Sequence, residues 1–279
     1  MQRALSQQGG GRETYAAAVE RLEAYAGDAE PTAIAGTADE IFTVTVLFAR
    51  EPRLRRALSD PARAADNRVA LLRELLGSKV SETTIDLLSA LVAGRWSSAT
   101  ELLNATERLV VDTLLVAADR GGELAEVEDE LFRFGQVVAG DSTLAATIGD
   151  SSVPPARRAE LVHTLLDGKA RAATMRLAEL AVHGFGGRSF SAALTRLVEL
   201  AAERRERQVA YVTVASPIGE HVERRLGETL SQLYGREVSM KLTIDPEILG
   251  GMSVQVGSDL YDGTVLRRLT ETRNALTAR

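Results

Sequence analysis

The chain has 279 residues, 45% of them hydrophobic and 26% charged, and its net charge of −6 is spread evenly along its length. That length suits more than one core, and the composition is ordinary for a globular protein. No segment has the basic balance that a phosphate backbone demands, which excludes nucleic acid as a partner. Cysteine is absent, and the three histidines, His163, His183 and His221, lie far apart. A disulfide framework and a thiolate metal site are thereby excluded, and a histidine-based catalytic site is poorly supplied. We expect no catalytic, cofactor-binding or metal residues.

Residues 1–12 are polar, contain Gly9-Gly10-Gly11 and carry no apolar h-region. They read as a flexible arm, not a secretory signal. From Arg12 to about Arg207 the pattern is helical. Tyr15, Val19, Leu22 and Tyr25 fall on one helical face. Pro31 and Pro52 suit first-turn positions. Gly77 and Gly94 follow apolar-periodic stretches, where helices stop. Ser81 is an N-cap candidate for the helix carrying Ile85, Leu88 and Val92. A helix from Ser98 to about Asp119 precedes Gly121-Gly122. The longest apolar run, Ile41–Ala49, is broken by two threonines and falls far short of the roughly 20 residues that cross a bilayer.

The helical region is written twice. A shift of 90 residues aligns Phe42 with Phe132, Leu54 with Leu144, Asp60 with Asp150, Arg68 with Arg158 and Leu71 with Leu161. It also aligns Lys79 with Lys169, Thr84 with Thr174 and Gly94 with Gly184, after which a three-residue insertion brings Arg95 onto Arg188. Apolar periodicity alone gives some matches, but the polar, charged and glycine matches at one offset argue for duplication. A unit of 90 residues exceeds the roughly 34–47 residues of helical solenoid repeats and is long enough for a bundle with its own core.

From Gln208 the period changes. Val209–Ala215 is β-rich, and Ser216-Pro217 fits an N-cap and first helical position. Ile218, Val222, Leu226, Leu230 and Leu233 then mark an amphipathic helix closed by Gly235. Val238, Met240, Leu242 and Ile244 alternate as a strand, Asp245-Pro246 breaks it, and Met252, Val254 and Val256 form another strand ended by Gly257. Leu260–Gly263 leads into a last helix with Leu266, Leu269 and Leu276 on one face. The expected fold is mainly α with a small α/β C-terminal domain. Its parts are an arm (1–12), a helical bundle (13–104), a second bundle (105–207) and a β-α-β-β-α unit (208–279).

Few motifs bear on chemistry. Gly250-Gly251 lacks the Lys-Ser/Thr of a P-loop and precedes a strand instead of a helix. It reads as a turn needing positive φ or a close approach of two backbones. Asp262, just before Gly263-Thr264, suits a cap or turn. Glu203–Arg207 reads as a solvated charge run with i,i+4 pairs.

The constellation Asp245-Pro246, Gly250-Gly251, Gly257 and Asp262, set between strands and a terminal helix, resembles the C-terminal signature of the delta subunit of F-type ATP synthases, called OSCP in mitochondria. Gly263-Thr264 departs from the family pattern, which has a Ser near that position. The usual two-domain form corresponds to residues 105–279, and the extra bundle resembles the long actinobacterial form. The resemblance implies a non-catalytic stator subunit on the cytoplasmic face of the cell membrane, peripheral and without a span of its own. It implies that 105–207 binds N-terminal helices of the alpha subunits, and that 208–279, with 13–104 as a further candidate, binds the b-subunit stalk. Deleting 1–104 is then expected to weaken stalk attachment and to spare alpha-helix binding. The alternative is a general helical adaptor unrelated to energy coupling.

Overall fold

The computed structural model describes residues 2–206, 209–234, 238–245, 248, 250–256, 259–265 and 267. The chain divides into two compact units, 1–201 and 202–279.

The first unit is helical. Its elements are α1 (Gln2–Asp28), α2 (Pro31–Arg50), α3 (Pro52–Ser59), α4 (Ala65–Leu76), α5 (Glu82–Ala93), α6 (Ala99–Arg120), α7 (Leu124–Gly140), α8 (Ser142–Gly149), α9 (Pro155–Leu166) and α10 (Ala172–Val182). Helix α11 (Phe190–Glu206) runs across the division between the units. The 90-residue shift carries α3 onto α8 and α4 onto α9 at both ends, and the start of α5 onto that of α10. The caps follow local chemistry. Pro31 and Pro52 stand in first turns. The side chains of Ser81 and Ser98 accept from the backbone N–H of Thr84 and Glu101. Gly77 and Gly94 close α4 and α5.

Two expectations change here. The segment read as an arm, 1–12, is helical from Gln2 onward as the first part of α1. The boundary placed at 104/105 falls inside α6, which buries residues from Leu102 to Ala118. This helix is apolar on several faces and is shared by the two bundles. The buried hydroxyls of Thr106 and Thr113 are satisfied by the carbonyls of Leu102 and Leu109, at 2.8 and 2.7 Å. One continuous apolar core results, running from Ala18 to Ala201. Finally, α2 is long and apolar enough to pass for a membrane span. It is a core helix, because Ile34, Ala38, Ile41, Val44 and Phe48 are buried and it packs along α6.

The second unit is an α/β layer. Strands β1 (Val209–Val214), β2 (Ser239–Ile244), β3 (Met252–Val256) and β4 (Asp259–Asp262) lie in the order β2-β1-β3-β4, with helix α12 (Glu220–Tyr234) between β1 and β2. β1 and β2 are parallel, as a helical crossover requires. β3 is antiparallel to β1, with Val212 opposite Val254, and β4 is antiparallel to β3. Alternation buries Ala210, Val212, Val214, Val254 and Val256 with Leu230 and Val238. The expected β-α-β-β order thus gains a fourth strand. β4 is a short edge strand with Asp259 to Tyr261 exposed, so it carries no apolar alternation that could announce it.

Helix α12 starts at Glu220, three residues beyond Pro217. Its first turn hangs from the Gly219 carbonyl, which accepts from Val222 and Glu223 at 2.9 and 3.1 Å. Ser216-Pro217 stays outside the helix, and Ile218 packs on the core. Of the expected stripe, Leu226 and Leu230 face the sheet, whereas Val222 and Leu233 are 47% and 60% exposed. Gly235 and the last helix carrying Leu266, Leu269 and Leu276 fall outside the described residues.

Candidate functional site

The repeated bundles are closed by repeated polar contacts. In the first, Glu40 on α2 reaches the start of α5. One of its oxygens accepts from Ser81 N (2.8 Å), Ser81 Oγ (2.6 Å) and Thr84 Oγ1 (2.5 Å). Burial alone would raise the Glu40 carboxyl. The hydrogen bonds from Ser81 and Thr84 outweigh it and hold the pKa below its ordinary value. In the second bundle Glu130 accepts from Arg171 N (2.8 Å) and Thr174 Oγ1 (2.6 Å). All three positions are shifted by 90 residues. Sequence reading matched Thr84 with Thr174 and missed the glutamates, although Glu40 and Glu130 are identical at the same offset.

Other matched residues do matched work. Asp60 and Asp150 each accept from the N–H two residues on, at 2.9 Å. Arg68 donates to the carbonyls of Asp60, Ala93 and Gly94. Arg158 donates to those of Ile148 and Val153. The three-residue insertion is a 3-10 turn at Phe185–Gly187, with Gly184, Gly186 and Gly187 at positive φ. Gly186 N donates to Glu107 Oε2 on α6 at 2.7 Å. Burial pushes the Glu107 carboxyl up, against the hydrogen bond from Gly186 and the charge of Arg188.

Across the bundles, Tyr15 on α1 donates to Asp112 on α6 at 2.7 Å, and Arg108 pairs with the same carboxylate at 2.9 Å. Burial, together with the Asp112 charge, raises the Tyr15 phenol well above its ordinary value. His183 stands edge-on to Phe42, centroids 5.5 Å apart, and burial lowers its pKa. His163 and His221 are exposed, on α9 and α12. No cluster of three His, Asp or Glu groups able to hold a metal occurs among the described residues. In the charge run Glu203–Arg207, expected to be solvated, Arg204 is buried.

The C-terminal motif is a backbone crossing. Gly250 and Gly251 have φ of +137° and +86°. A Cβ on Gly251 would lie 2.5 Å from the Gly263 carbonyl oxygen and 3.0 Å from Thr264 Cα. Gly263 N donates to the Met252 carbonyl at 2.9 Å, and Val265 N to that of Gly250 at 3.0 Å. Asp262 Oδ1 accepts from Thr264 N at 3.0 Å, and that backbone bond holds its carboxyl below the ordinary range. The motif therefore joins Gly250, Gly251 and Asp262 at the crossing. Asp245 lies elsewhere, at the end of β2, where its N–H donates to the Val214 carbonyl at 2.9 Å. Pro246 and Gly257 lie outside the described residues.

The second unit exposes apolar side chains: Val222, Leu233, Ile244, Leu260, Tyr261 and Val265. The geometry is that of a scaffold with contact faces.

Comparison with known proteins agrees with the doubled architecture. The family described as ATP synthase delta (OSCP) subunit matches residues 12–113 and again 111–276. The chain is similar to "ATP synthase subunit delta" of Salinispora arenicola (strain CNS-205), 63% identical over 268 residues, 96% of this chain and 98% of the relative. It is 43% identical to the protein of the same description from Streptomyces avermitilis over 272 residues, 98% of this chain and 99% of the relative. With matches covering nearly the whole chain and falling separately on each bundle, the chain belongs to the ATP synthase delta (OSCP) subunit family, in a form whose helical domain is duplicated.

Proposed function

We propose that this chain is the torque-bearing link of a proton-translocating F-type ATP synthase, tying the catalytic head to the b-subunit stalk. The observation that carries the reading is the doubled family match, 12–113 and 111–276, on two bundles that share one core. A stator resists torque through extended contact, and a shared core passes load between bundles without a flexible joint. The second bundle, 105–207, takes N-terminal helices of the alpha subunits, since helical bundles offer apolar grooves to partner helices. The α/β unit, 208–279, takes the end of the b stalk, which suits its exposed Val222, Leu233, Ile244 and Leu260. The first bundle, 13–104, braces the stalk. The role is mechanical, at the cytoplasmic face of the membrane, with Gly250, Gly251 and Asp262 holding the C-terminal unit in shape at the crossing.

Calorimetric titration of the full chain with a peptide of the alpha subunit's N-terminal helix from the same organism tests this. Saturable binding is expected. No heat from a demonstrably folded chain would reject helix capture and favour a general adaptor.

A further inference from the structure

The two bundles are alike in sequence and unlike in what covers their second helix. In the first, α2 is met by α10 of the second bundle. Arg176 grips Asp39 through two bonds, Nε to Oδ1 at 2.9 Å and Nη2 to Oδ2 at 3.2 Å. Two turns further along, His183 stands edge-on to Phe42 with centroids 5.5 Å apart. A cation on α10 and a ring at its C-cap, seven residues on, thus cover an acid and a ring three residues apart on α2.

The 90-residue shift carries Asp39 to Asp129, Phe42 to Phe132 and Leu47 to Val137, all on α7. Phe42 and Leu47 pack against the core, whereas Phe132 and Val137 are 53% and 59% exposed. Asp129 pairs with Arg133 one turn on, at 2.7 Å, a pair 50% and 75% exposed and therefore easily exchanged for a better one. The second bundle carries the face that the first has covered, and nothing among the described residues covers it there.

We propose that the α7 face of Asp129, Phe132 and Val137 docks a helix of a partner polypeptide that presents a cation and, seven residues on, an aromatic or imidazole ring. This deepens the proposed function and rests on its reading that the second bundle captures partner helices. The covered copy supplies the chemistry: a guanidinium for the acid and a ring edge for the phenyl. A second copy of this chain is a poor occupant. Its first bundle would offer Asp86 and Ala93, the counterparts of Arg176 and His183. That brings an acid against Asp129, which disfavours pairing, and Asp86 is held by Arg21 at 2.9 Å. Its second bundle would have to surrender its own grip on Asp39.

The test uses the full chain and a labelled, hydrocarbon-stapled peptide copying residues 172–187, read by fluorescence anisotropy. Wild type is expected to bind it. Phe132→Glu and Asp129→Arg should each weaken binding about tenfold or more, as loss of an interface anchor does. An Arg176→Glu peptide should bind Asp129→Arg better than wild type, a charge swap that loss of fold cannot mimic. No binding to wild type, equal affinity in Phe132→Glu, or failure of the swap would each overturn the proposal. So would a concentration-dependent dimer, seen by sedimentation, that Phe132→Glu abolishes, since it would assign the face to a second copy. The alpha-subunit peptide is run in parallel. If it binds wild type and Phe132→Glu alike while the stapled peptide fails, this face is rejected and the proposed function stands.

Discussion

At the scale of single residues, two kinds of position carry the fold. Glu40 gathers three donors from the start of α5, a helix more than 40 residues away in sequence. A hydrogen bond to a charged group contributes roughly 1.5–3 kcal/mol. Glu40→Ala should therefore lower stability by about 2 kcal/mol, read as a drop in thermal midpoint, and an unchanged midpoint would contradict the role. The sign of the pH effect follows from the depressed carboxyl. Its contribution is present above the unfolded carboxyl value of about 4.3 and is lost as pH falls through the lower folded value. Glu40→Gln should flatten the acid limb of a midpoint-against-pH curve. Gly251 is the other kind. Its φ of +86° and the Gly263 carbonyl at 2.5 Å leave no room for a side chain. Gly251→Val should destabilise the second unit by about 1 kcal/mol or more, seen in urea titration monitored in that unit. The glycine pair was legible in sequence as a turn or close approach, and it is both. Glu40 was not, because a helix period describes a helix and says nothing of a carboxylate's distant partners.

Elements divide according to what surrounds them. Helix α2 looks by length and apolarity like a bilayer span and is a core helix, because α6 lies along it. Ile41, fully buried there, tests this. Ile41→Ala should cost roughly 2–5 kcal/mol through lost burial and the cavity left behind. Phe132→Ala on the equivalent helix α7 should stay within about 0.5 kcal/mol of wild type, as exposed positions do. Similar losses at both sites in chemical denaturation would contradict the asymmetry between the bundles. Periodicity and caps were enough to place the starts of α2, α3, α5 and α6, and the insertion needed to align Arg95 with Arg188 is the 3-10 turn at Phe185–Gly187. Strand β4 was illegible because an exposed edge strand buries nothing that would impose alternation.

For the whole molecule, the consequence lies in α6. The expected cut at 104/105 passes through the middle of this helix, whose buried faces serve a core running from Ala18 to Ala201. Deleting 1–104 would cut into α6 and strip α2 from it, so that truncation cannot report stalk binding alone. The first unit should instead unfold as one cooperative transition in calorimetry. Two resolved helical transitions, one per bundle, would show the bundles to be independent. Cooperative coupling is what the proposed torque-bearing role requires, since a joint that opens separately would yield first.

The amino-acid order by itself determined the duplication, the helix starts at Pro31, Pro52, Ser81 and Ser98, the change of period at Gln208 and the glycine crossing. Each depends on local backbone preference or on a spacing that survives as identical letters. The tertiary structure alone decided which copy of a repeated face is covered. Phe42 and Phe132 are the same residue at the same place in the same motif, yet one packs against His183 and the other is exposed. Burial belongs to the neighbour, and the neighbour of each bundle is set by the packing of the whole unit.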